Sequence, residues 1–366
     1  MKVLFDYPAF VMQPFGGVSR VIYETARHGM LREKTECSVW AGLHQNYAIE
    51  SLSNEFPGSV HGKRIVEKFA KQRLLMPLNS QLFTGYASRY QPDICHYSFF
   101  MTPRVPARTK TVITVHDLIN ELFPQHYSKH DKQAEYRRRA LQKVDGVVCV
   151  SEHTKNDFLK LYDFDDEKVI IAYNGNSLSQ IKPIPPRLKD PYFLYVGSRN
   201  GWRKNFDILC RSFSAGGFPM HYKLVCFGDK PFSEAEKSRF QQLKIEDRIL
   251  SFSGNDEELA GYYSNALALV YPSRYEGFGL PPIEAMGFGC PVIASDAPPM
   301  PEIIQNNGLF FDPESCDTLT SCMKKITKNS EENNELRLGG MKRAAVFNWY
   351  KSCEKVFTFY EKLIGM

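Results

Sequence analysis

The 366-residue sequence contains no run of the roughly 18 to 20 apolar residues that a membrane-spanning helix needs. Near its start, Asp6 and Pro8 interrupt the only apolar run that a signal peptide would use, so a secretory signal is not expected. The nine cysteines are odd in number and include no Cys-x-x-Cys spacing, which argues against a disulfide framework and a zinc site. Cys95, Cys149 and Cys226 lie in apolar, strand-like runs. We therefore expect a cytoplasmic protein with reduced thiols.

Two common phosphate-binding motifs are also missing. The sequence has neither the Gly-x-Gly-x-x-Gly of dinucleotide-binding folds nor the Gly-x4-Gly-Lys-Ser/Thr of P-loop proteins. In addition, no Asp-x-Asp follows a predicted strand, where it would hold a metal ion beside a diphosphate. These absences lower the expectation of a dinucleotide-dependent enzyme, a P-loop enzyme or a metal-dependent transferase.

Positive charge is concentrated in one half of the chain. The net charge is +5, and the whole excess falls within residues 1–182, where residues 60–110 contain nine bases and two acids. Such a distribution fits an anionic membrane or an anionic substrate better than a nucleic acid. If helical, Lys63–Leu82 would place bases beside an imperfect apolar face suited to a membrane surface. A packed surface helix with ordinary lysines explains this segment equally well.

The order of the apolar segments predicts an α/β fold. Short apolar runs typical of buried parallel strands alternate with helical segments, stop at the proline-rich residues 182–187, and then resume. We therefore predict two doubly wound domains, 1–180 and 181–345, and an aromatic-rich helix at 346–366 that crosses back to the first domain. The predicted strands are Val3–Asp6, Cys37–Ala41, Asp93–Tyr97, Thr111–Val115, Gly146–Val150, Phe193–Val196, Lys223–Phe227, Ile249–Phe252, Leu267–Tyr271, Val292–Ala294 and Leu309–Phe311.

The densest candidate motif is Tyr275–Met286, which follows a predicted strand and opens a helix. Glycines on both sides of Phe278 allow the backbone to approach a ligand, and amides at a helix start favour an anion such as phosphate. Carboxylates would repel a phosphate, so Glu276 and Glu284 are expected to accept hydrogen bonds from sugar hydroxyls. The alternative is an acidic helix start, for which one glutamate would suffice.

Two further loops follow predicted strands. The segment Tyr195–Asn205 brings Arg199, Arg203 and Lys204 to a helix start, a combination suited to holding a diphosphate. A solvated basic loop is the alternative interpretation of this segment. The loop at Gly16-Gly17, after the first strand, offers backbone amides to a phosphate or a sugar, but this motif is weak by itself.

Together these motifs resemble the retaining, nucleotide-sugar-dependent glycosyltransferases of family four, which have the GT-B fold. The resemblance spans nearly the whole chain, and the family's two glutamates, separated by seven residues, match Glu276 and Glu284. The other matching positions are Arg199 and Lys204 in the diphosphate clamp, Gly16 and Gly17 in the first loop, and His116 in the donor-sugar pocket. Arg203 is an additional cation before Lys204. The sequence therefore leaves open whether Arg199 or Arg203 binds the phosphates.

The resemblance implies two Rossmann-like domains that face a central cleft, with an acceptor-side domain at 1–180 and a nucleotide-sugar-binding domain at 181–345. It implies that Glu276 and His116 are catalytic residues that contact the donor sugar, and that Glu284 binds the ribose. Phe278, Gly279 and Leu280 are expected to complete the nucleotide-sugar site. Fixed cations would stabilise the leaving diphosphate, so no metal or other cofactor is expected.

The amino-acid sequences of the glycine-rich loop and of the basic loop most resemble those of bacterial enzymes of O-antigen and capsule assembly, many of which are mannosyltransferases. We therefore expect GDP-mannose as the donor, a glycan or lipid-linked acceptor, and contact with the inner face of an anionic membrane, with no nucleic-acid partner. A UDP-sugar donor, a sugar-nucleotide epimerase of similar fold and a non-enzymatic lipid- or polyanion-binding module remain the alternatives.

Overall fold

The computed structural model describes residues 1–14, 16–65, 72–128, 132–228, 230–328 and 330–366. It divides into two units. The first unit comprises Met1–Asn174 together with Trp349–Met366, and the second comprises Gly175–Asn348. Each unit is built on one parallel β-sheet, so the predicted α/β class with two Rossmann-like sheets is confirmed.

The sheet of the first unit contains seven described strands. These are β1 (Lys2–Phe5), β2 (Glu36–His44), β3 (Val60–Arg64), β4 (Ile94–Tyr97), β5 (Lys110–Val115), β6 (Gly146–Cys149) and β7 (Val169–Ile171). Their spatial order is β3-β2-β1-β4-β5-β6-β7, and all of the pairs are parallel. The strand order reverses direction between β1 and β4, which is where ligands bind in sheets of this kind.

Both faces of this sheet are buried. In β1, Val3 and Phe5 pack into one hydrophobic cluster while Leu4 packs into the other, as the two-residue repeat of a strand requires. The helices of this part of the chain are α1 (Pro8–Met12), α2 (Gly17–Leu31), α3 (Ala48–Glu55), α4 (Gln72–Tyr90), α5 (Ile119–Leu122), α6 (Gln133–Leu141) and α7 (Glu152–Leu161). Short 3-10 helices occupy Pro124–His126 and Asp166–Lys168.

The second unit repeats this design with six described strands. These are β8 (Tyr192–Val196), β9 (Lys223–Phe227), β10 (Ile249–Phe252), β11 (Ala268–Tyr271), β12 (Val292–Ser295) and β13 (Leu309–Phe311), in the order β10-β9-β8-β11-β12-β13. Its helices are α8 (Phe206–Ala215), α9 (Glu234–Gln242), α10 (Asp256–Asn265), α11 (Leu280–Gly287), α12 (Met300–Ile304), α13 (Cys316–Lys328) and α14 (Ser330–Ala344). Here the strand order reverses between β8 and β11.

The last helix, α15 (Trp349–Ile364), belongs to the first unit and packs against α2. Glu354 on α15 forms an ion pair with Arg32 at 2.7 Å, just after α2. A Cβ atom at Gly146 would lie 2.5 Å from the ring of Phe359, so the glycine at the start of β6 allows α15 to approach the sheet closely.

The structure differs from the helix considered for Lys63–Leu82. Lys63 and Arg64 end the edge strand β3, where they pair in register with Leu43 and His44 of β2. Residues 66–71 lie outside the described residues, and α4 begins at Gln72. A continuous helix from Lys63 is therefore wrong, because the first residues of the segment are part of the sheet. Among the helices that the structure describes, none is long and apolar enough to cross a membrane.

Candidate active site

Two loops of the second unit begin where the strand order reverses. The first follows β8 and runs through Gly201 into a 3-10 turn at Trp202–Lys204. The second follows β11 and leads to α11. Gly201 has a φ of +90°, a backbone conformation that residues other than glycine rarely adopt. This glycine therefore permits the turn that carries Arg203 and Lys204.

Arg274 ties the two loops together. Its backbone N–H donates to the carbonyl of Arg203 at 2.8 Å, and its Nη1 donates to the carbonyl of Trp202 at 2.9 Å. The same guanidinium forms an ion pair with Glu314 at 2.5 Å, so its side chain is anchored at a second point. One backbone–backbone hydrogen bond and one from the Arg274 side chain thus hold the loop after β8 against the loop after β11.

These contacts bring Glu276 to the two adjacent cations of the first loop. Lys204 Nζ lies 2.8 Å from Glu276 Oε1, and Arg203 Nη1 donates to the other carboxylate oxygen. Burial alone would raise the pKa of Glu276, but the charges of Lys204 and Arg203 and the hydrogen bonds from Lys204 and Ser273 outweigh it, so the pKa is lowered. Glu276 is therefore an ionised, buried carboxylate.

Arg199 is held in a different ion pair. Its Nε donates to Glu236 at 2.7 Å, its Nη2 donates to the carbonyl of Lys230 at 2.6 Å, and its guanidinium lies 4.7 Å from the centroid of the Phe232 ring. Glu236 in turn closes the capping box of α9 with Ser233. The structure thus brings Arg203 and Lys204 to Glu276, and it engages Arg199 with the start of α9.

The start of α11 has fewer amide donors than an ordinary helix. Gly279 is the N-cap with a φ of +96°, Leu280 is the first helical residue, and Pro281 and Pro282 follow it. Proline has no N–H, so Gly279 and Leu280 supply the free amides of the first turn. Phe278 is buried and packs edge-on against Phe347, with ring centroids 5.6 Å apart.

Glu284 lies one turn farther along α11. The hydroxyl of Tyr263 donates to its Oε2 at 3.0 Å, which fixes the orientation of the carboxylate. Tyr263 is fully buried, and this burial together with the charge of Glu284 raises its pKa, so the phenol stays protonated as a donor. Sequence reasoning missed Tyr263, because a buried tyrosine on the preceding helix carries no motif of its own.

In the first unit, Gly16 and Gly17 form the start of α2, as the N-cap and the first helical residue. Ser19 closes this turn, because its hydroxyl donates to the carbonyl of Gly16 at 3.0 Å and its N–H donates to Gln13 at 3.2 Å. A Cβ atom at Gly16 would collide with the Gln13 side chain at 2.3 Å. The glycine therefore leaves room for the tight contact between this loop and α1. Phe15 lies outside the described residues.

His116 follows β5 at the same edge of the first sheet. Its Nε2 has no solvent exposure and no hydrogen-bond partner among the described residues. Burial, and to a lesser degree the charge of Arg137, lowers the pKa of His116 from 6.5 to about 3, so the ring is neutral at physiological pH. Arg137 is itself buried, in an ion pair with Glu121 at 2.6 Å. Sequence reasoning missed this Arg137–Glu121 pair, which only the packing of α6 against α5 brings together.

Comparisons with known proteins show the family to which the chain belongs. The model for "Glycosyltransferase Family 4" matches residues 15–180, and the model for "Glycosyl transferases group 1" matches residues 178–343. The O-antigen chain mannosyltransferase RfbU of Salmonella typhimurium is 31% identical over 267 residues, which span 66% of this chain and 73% of RfbU. The chain belongs to glycosyltransferase family 4.

Further similarities extend over the full length of this family-4 glycosyltransferase. It is 23% identical to O-antigen chain mannosyltransferase B of Escherichia coli, over 99% of this chain and 100% of that protein. Among solved structures, Anabaena Alr3699/HepE in complex with UDP and glucose superposes with a TM-score of 0.76 at 18% identity, covering 98% of each chain. The fold is thus that of GT-B glycosyltransferases, and the predicted enzyme class is confirmed.

Proposed function

We propose that this glycosyltransferase transfers mannose from GDP-mannose, with retention of the anomeric configuration, to a glycan or lipid-linked acceptor in the assembly of a bacterial surface polysaccharide. The relatives support the choice of sugar, since the two described above are named O-antigen chain mannosyltransferases. The loop after β8 supports the choice of a nucleoside diphosphate as the leaving group, because it presents two adjacent cations at the reversal of the strand order.

The cluster of Arg203, Lys204 and Glu276 carries this proposal. When the bond between the sugar C1 and the β-phosphate oxygen breaks, negative charge develops on the diphosphate, and fixed cations stabilise that charge in a site shielded from water. We assign Arg203 and Lys204 to this role because both contact Glu276 of the same candidate site, whereas Arg199 contacts Glu236 at the start of α9. No metal ion or other cofactor is needed in this scheme.

The two glutamates then bind the sugars of the donor. The lowered pKa of Glu276 keeps it ionised, so it accepts a hydrogen bond from a mannose hydroxyl. Glu284, oriented by Tyr263, accepts from the ribose hydroxyls. We also assign a donor-sugar contact to the neutral imidazole of His116, as the match to the family implies, and a phosphate contact to the amides of Gly279 and Leu280.

Transfer with retention follows from attack on the face that the diphosphate leaves. The acceptor oxygen forms its bond to C1 as the bond from C1 to the phosphate oxygen breaks. The acceptor proton passes to the departing phosphate oxygen, so the products are the mannosylated acceptor and GDP. Catalysis in this scheme consists of positioning and charge stabilisation by the chain's own residues.

Nucleotide preference is the direct test of the donor. Thermal unfolding of the full chain is measured with GDP, UDP and ADP, followed by hydrolysis of GDP-mannose and of UDP-glucose. We expect GDP to raise the melting temperature most, because a ligand that binds only the native state stabilises it. Lys204→Ala should abolish most of this shift, whereas Lys237→Ala, which removes an exposed lysine on α9, should not. Turnover of UDP-sugars with none of GDP-mannose would overturn the choice of donor.

A UDP-sugar is the second candidate donor, because the structurally similar HepE was solved with UDP and glucose. The same nucleotide series distinguishes the two candidates. Incubation of the enzyme with GDP-mannose in the absence of an acceptor also tests the epimerase alternative, since only an epimerase would accumulate the epimeric sugar nucleotide.

We further propose that the first unit contacts an anionic membrane through α4. Leu74, Leu78 and Leu82 follow one another at four-residue spacing and are 68%, 44% and 50% exposed, so they form an apolar stripe on one face of the helix. Lys68 and Lys71, which precede α4 in the sequence, lie outside the described residues.

Co-sedimentation with anionic and neutral liposomes at low and high salt tests this contact. We expect binding to anionic liposomes that weakens with salt and that is lost in Leu74→Ser/Leu78→Ser. Leu338→Ser, which alters an exposed leucine of the second unit, serves as the matched control. Equal binding to both lipids, or binding to neither, would contradict the proposed contact.

A further inference from the structure

The first unit contains a cavity of about 590 Å³ at the carboxyl edge of its sheet. Tyr7, in the loop after β1, and Phe99–Pro103, in the loop after β4, line one side of it. Residues of α4 and α6, with Met12 of α1 and Lys143 just beyond α6, supply the remainder. The cavity therefore lies where the strand order of this sheet reverses, the usual place for a ligand. Its volume falls in the range of about 300–1,000 Å³ typical of small-molecule sites.

The lining of the cavity is apolar where it is buried and cationic where it is exposed. The buried lining residues Tyr7, Met76, Phe100 and Ala140 are apolar or aromatic, and the only polar group that Tyr7 carries, its hydroxyl, donates to the carbonyl of Met76 at 3.1 Å. Methionine and aromatic side chains adapt to flexible hydrocarbon ligands. The interior of the cavity thus favours an apolar chain.

The exposed part of the lining is cationic. It contains Arg73, Arg139 and Lys143, and no carboxylate is present among the described lining residues. Within the described part of the chain, Arg73 and Lys143 have no ion-pair partner, and Arg139 pairs only with the exposed Glu135 on its own helix. Three cations around an apolar cavity complement a ligand that carries an anionic group at one end.

The cavity is connected by direct packing to the region of His116. Phe100 of the lining stacks beneath the guanidinium of Arg137, which lies 4.1 Å from its ring centroid. The charge of Arg137 in turn acts on His116. An anionic group held at the exposed part of the lining is therefore near the sheet edge that carries the candidate donor-sugar contact.

We propose that this cavity binds an isoprenoid or acyl chain that ends in a phosphate or diphosphate, with the hydrocarbon inside and the phosphate held by Arg73, Arg139 and Lys143. The ligand is the lipid part of the acceptor, an inference that rests on the proposed function. The proposal deepens that function by naming the class of acceptor and the residues that bind it.

Calorimetric titration of the full chain, without donor, tests the binding. The probes are farnesyl phosphate, the shorter dimethylallyl phosphate and inorganic phosphate. Each additional methylene that is buried strengthens binding. We therefore expect farnesyl phosphate to bind at least about tenfold more tightly than dimethylallyl phosphate. Similar affinities for farnesyl phosphate and inorganic phosphate would show a simple anion site and overturn the proposal.

Two variants locate the site. Arg139→Glu should weaken farnesyl phosphate binding about tenfold, the change expected for loss of a charge-assisted contact. Met101→Glu, at a half-buried position of the lining, should weaken it by at least as much. Arg138→Glu is the matched control, because Arg138 is exposed on the same helix and outside the lining. Unchanged affinity in both lining variants, or an equal loss in Arg138→Glu, would overturn the assignment to this cavity.

Measuring the hydrolysis of GDP-mannose by the unmodified enzyme distinguishes a failure of the proposed lipid site from a failure of the proposed donor. Hydrolysis without binding of farnesyl phosphate overturns the cavity assignment and leaves the donor intact. Binding of farnesyl phosphate without hydrolysis of GDP-mannose supports the lipid site and counts against the proposed donor.

Discussion

Lys204 Nζ lies 2.8 Å from Glu276 Oε1, although the two residues are 72 positions apart in the sequence. This ion pair joins the motif after β8 to the motif after β11. The carboxylate holds the lysine in place, and the lysine keeps the carboxylate ionised. In the proposed function, a diphosphate would bind to cations that Glu276 holds in place, which lowers the cost of ordering them.

We expect Lys204→Ala to lower kcat/KM for GDP-mannose by about 10- to 100-fold. The removed group supplies a charged hydrogen bond, for which about 1.5–3 kcal/mol is typical. The fold should persist, because Arg203 still pairs with Glu276 in the variant. Steady-state kinetics measures the loss of kcat/KM, and urea unfolding of the same variant shows whether the fold is retained. Kinetics close to those of the unmodified enzyme would remove Lys204 from the site.

Arg199 should matter more for stability than for catalysis. Its side chain is buried in an ion pair with Glu236, so Arg199→Ala should lower the free energy of unfolding by about 1.5–3 kcal/mol. Glu236→Ala should have a similar effect, and the double variant should lose less than the sum of the two, because both substitutions break the same contact. A large drop in kcat/KM with unchanged stability would instead place Arg199 in the diphosphate clamp.

The contrast between Arg199 and Arg203 shows where sequence reasoning ends. Both arginines follow β8 within a few residues, so spacing alone cannot assign either one to the clamp. The choice between the two arginines depends on contacts that exist only in the folded chain. Arg199 contacts Glu236, which is 37 residues away in the sequence. Arg203 contacts Arg274, which is 71 residues away. The interpretation of Glu276 as an acceptor of hydrogen bonds from sugar hydroxyls, by contrast, follows from its local motif.

The sequence predicts those strands that are buried on both faces, because such strands are continuous runs of apolar residues. All eleven predicted strands are present, with shifts of a few residues at their ends, whereas β3 and β7 were missed. Val60–Arg64 is a largely exposed edge strand with the polar sequence Val-His-Gly-Lys-Arg, and Val169–Ile171 has only three residues. An edge strand pairs on one side and is not enclosed by helices, so it lacks the continuous apolar pattern that identifies central strands.

Activity should persist in excess EDTA. The proposed site supplies positive charge to the departing diphosphate through Arg203 and Lys204, without a metal ion. Initial rates with GDP-mannose, measured before and after chelation and again with added Mg²⁺ or Mn²⁺, test this expectation. A strict requirement for a divalent ion, with activity restored by either metal, would contradict this electrostatic account.

His116 should make stability depend on pH in the acidic range. Its pKa in the folded chain is about 3, well below the 6.5 of an unperturbed histidine, because of burial and the charge of Arg137. Between these two values the unfolded chain binds a proton that the folded chain does not, so stability is full above pH 6.5 and falls as the pH decreases towards 3. The effect has a maximum slope of about 1.4 kcal/mol per pH unit. His96, whose pKa is also lowered to about 3, acts in the same direction, and Asp6, with a pKa raised to about 8, acts in the opposite one.

The variant His116→Asn removes this contribution together with the smaller effect that the charge of His116 has on the pKa of His96, whereas Asp6 is common to both proteins. We expect a plot of the free energy of unfolding against pH, from urea titrations between pH 4.5 and 7.5, to be shallower for the variant than for the unmodified enzyme. This range covers the upper part of the window between the two pKa values and extends above it, where the contribution of His116 should level off. The same variant should lose kcat/KM, since a neutral imidazole contacts the donor sugar in the proposed mechanism. Parallel stability plots would show that His116 titrates normally, and an unchanged kcat/KM would remove it from the donor site.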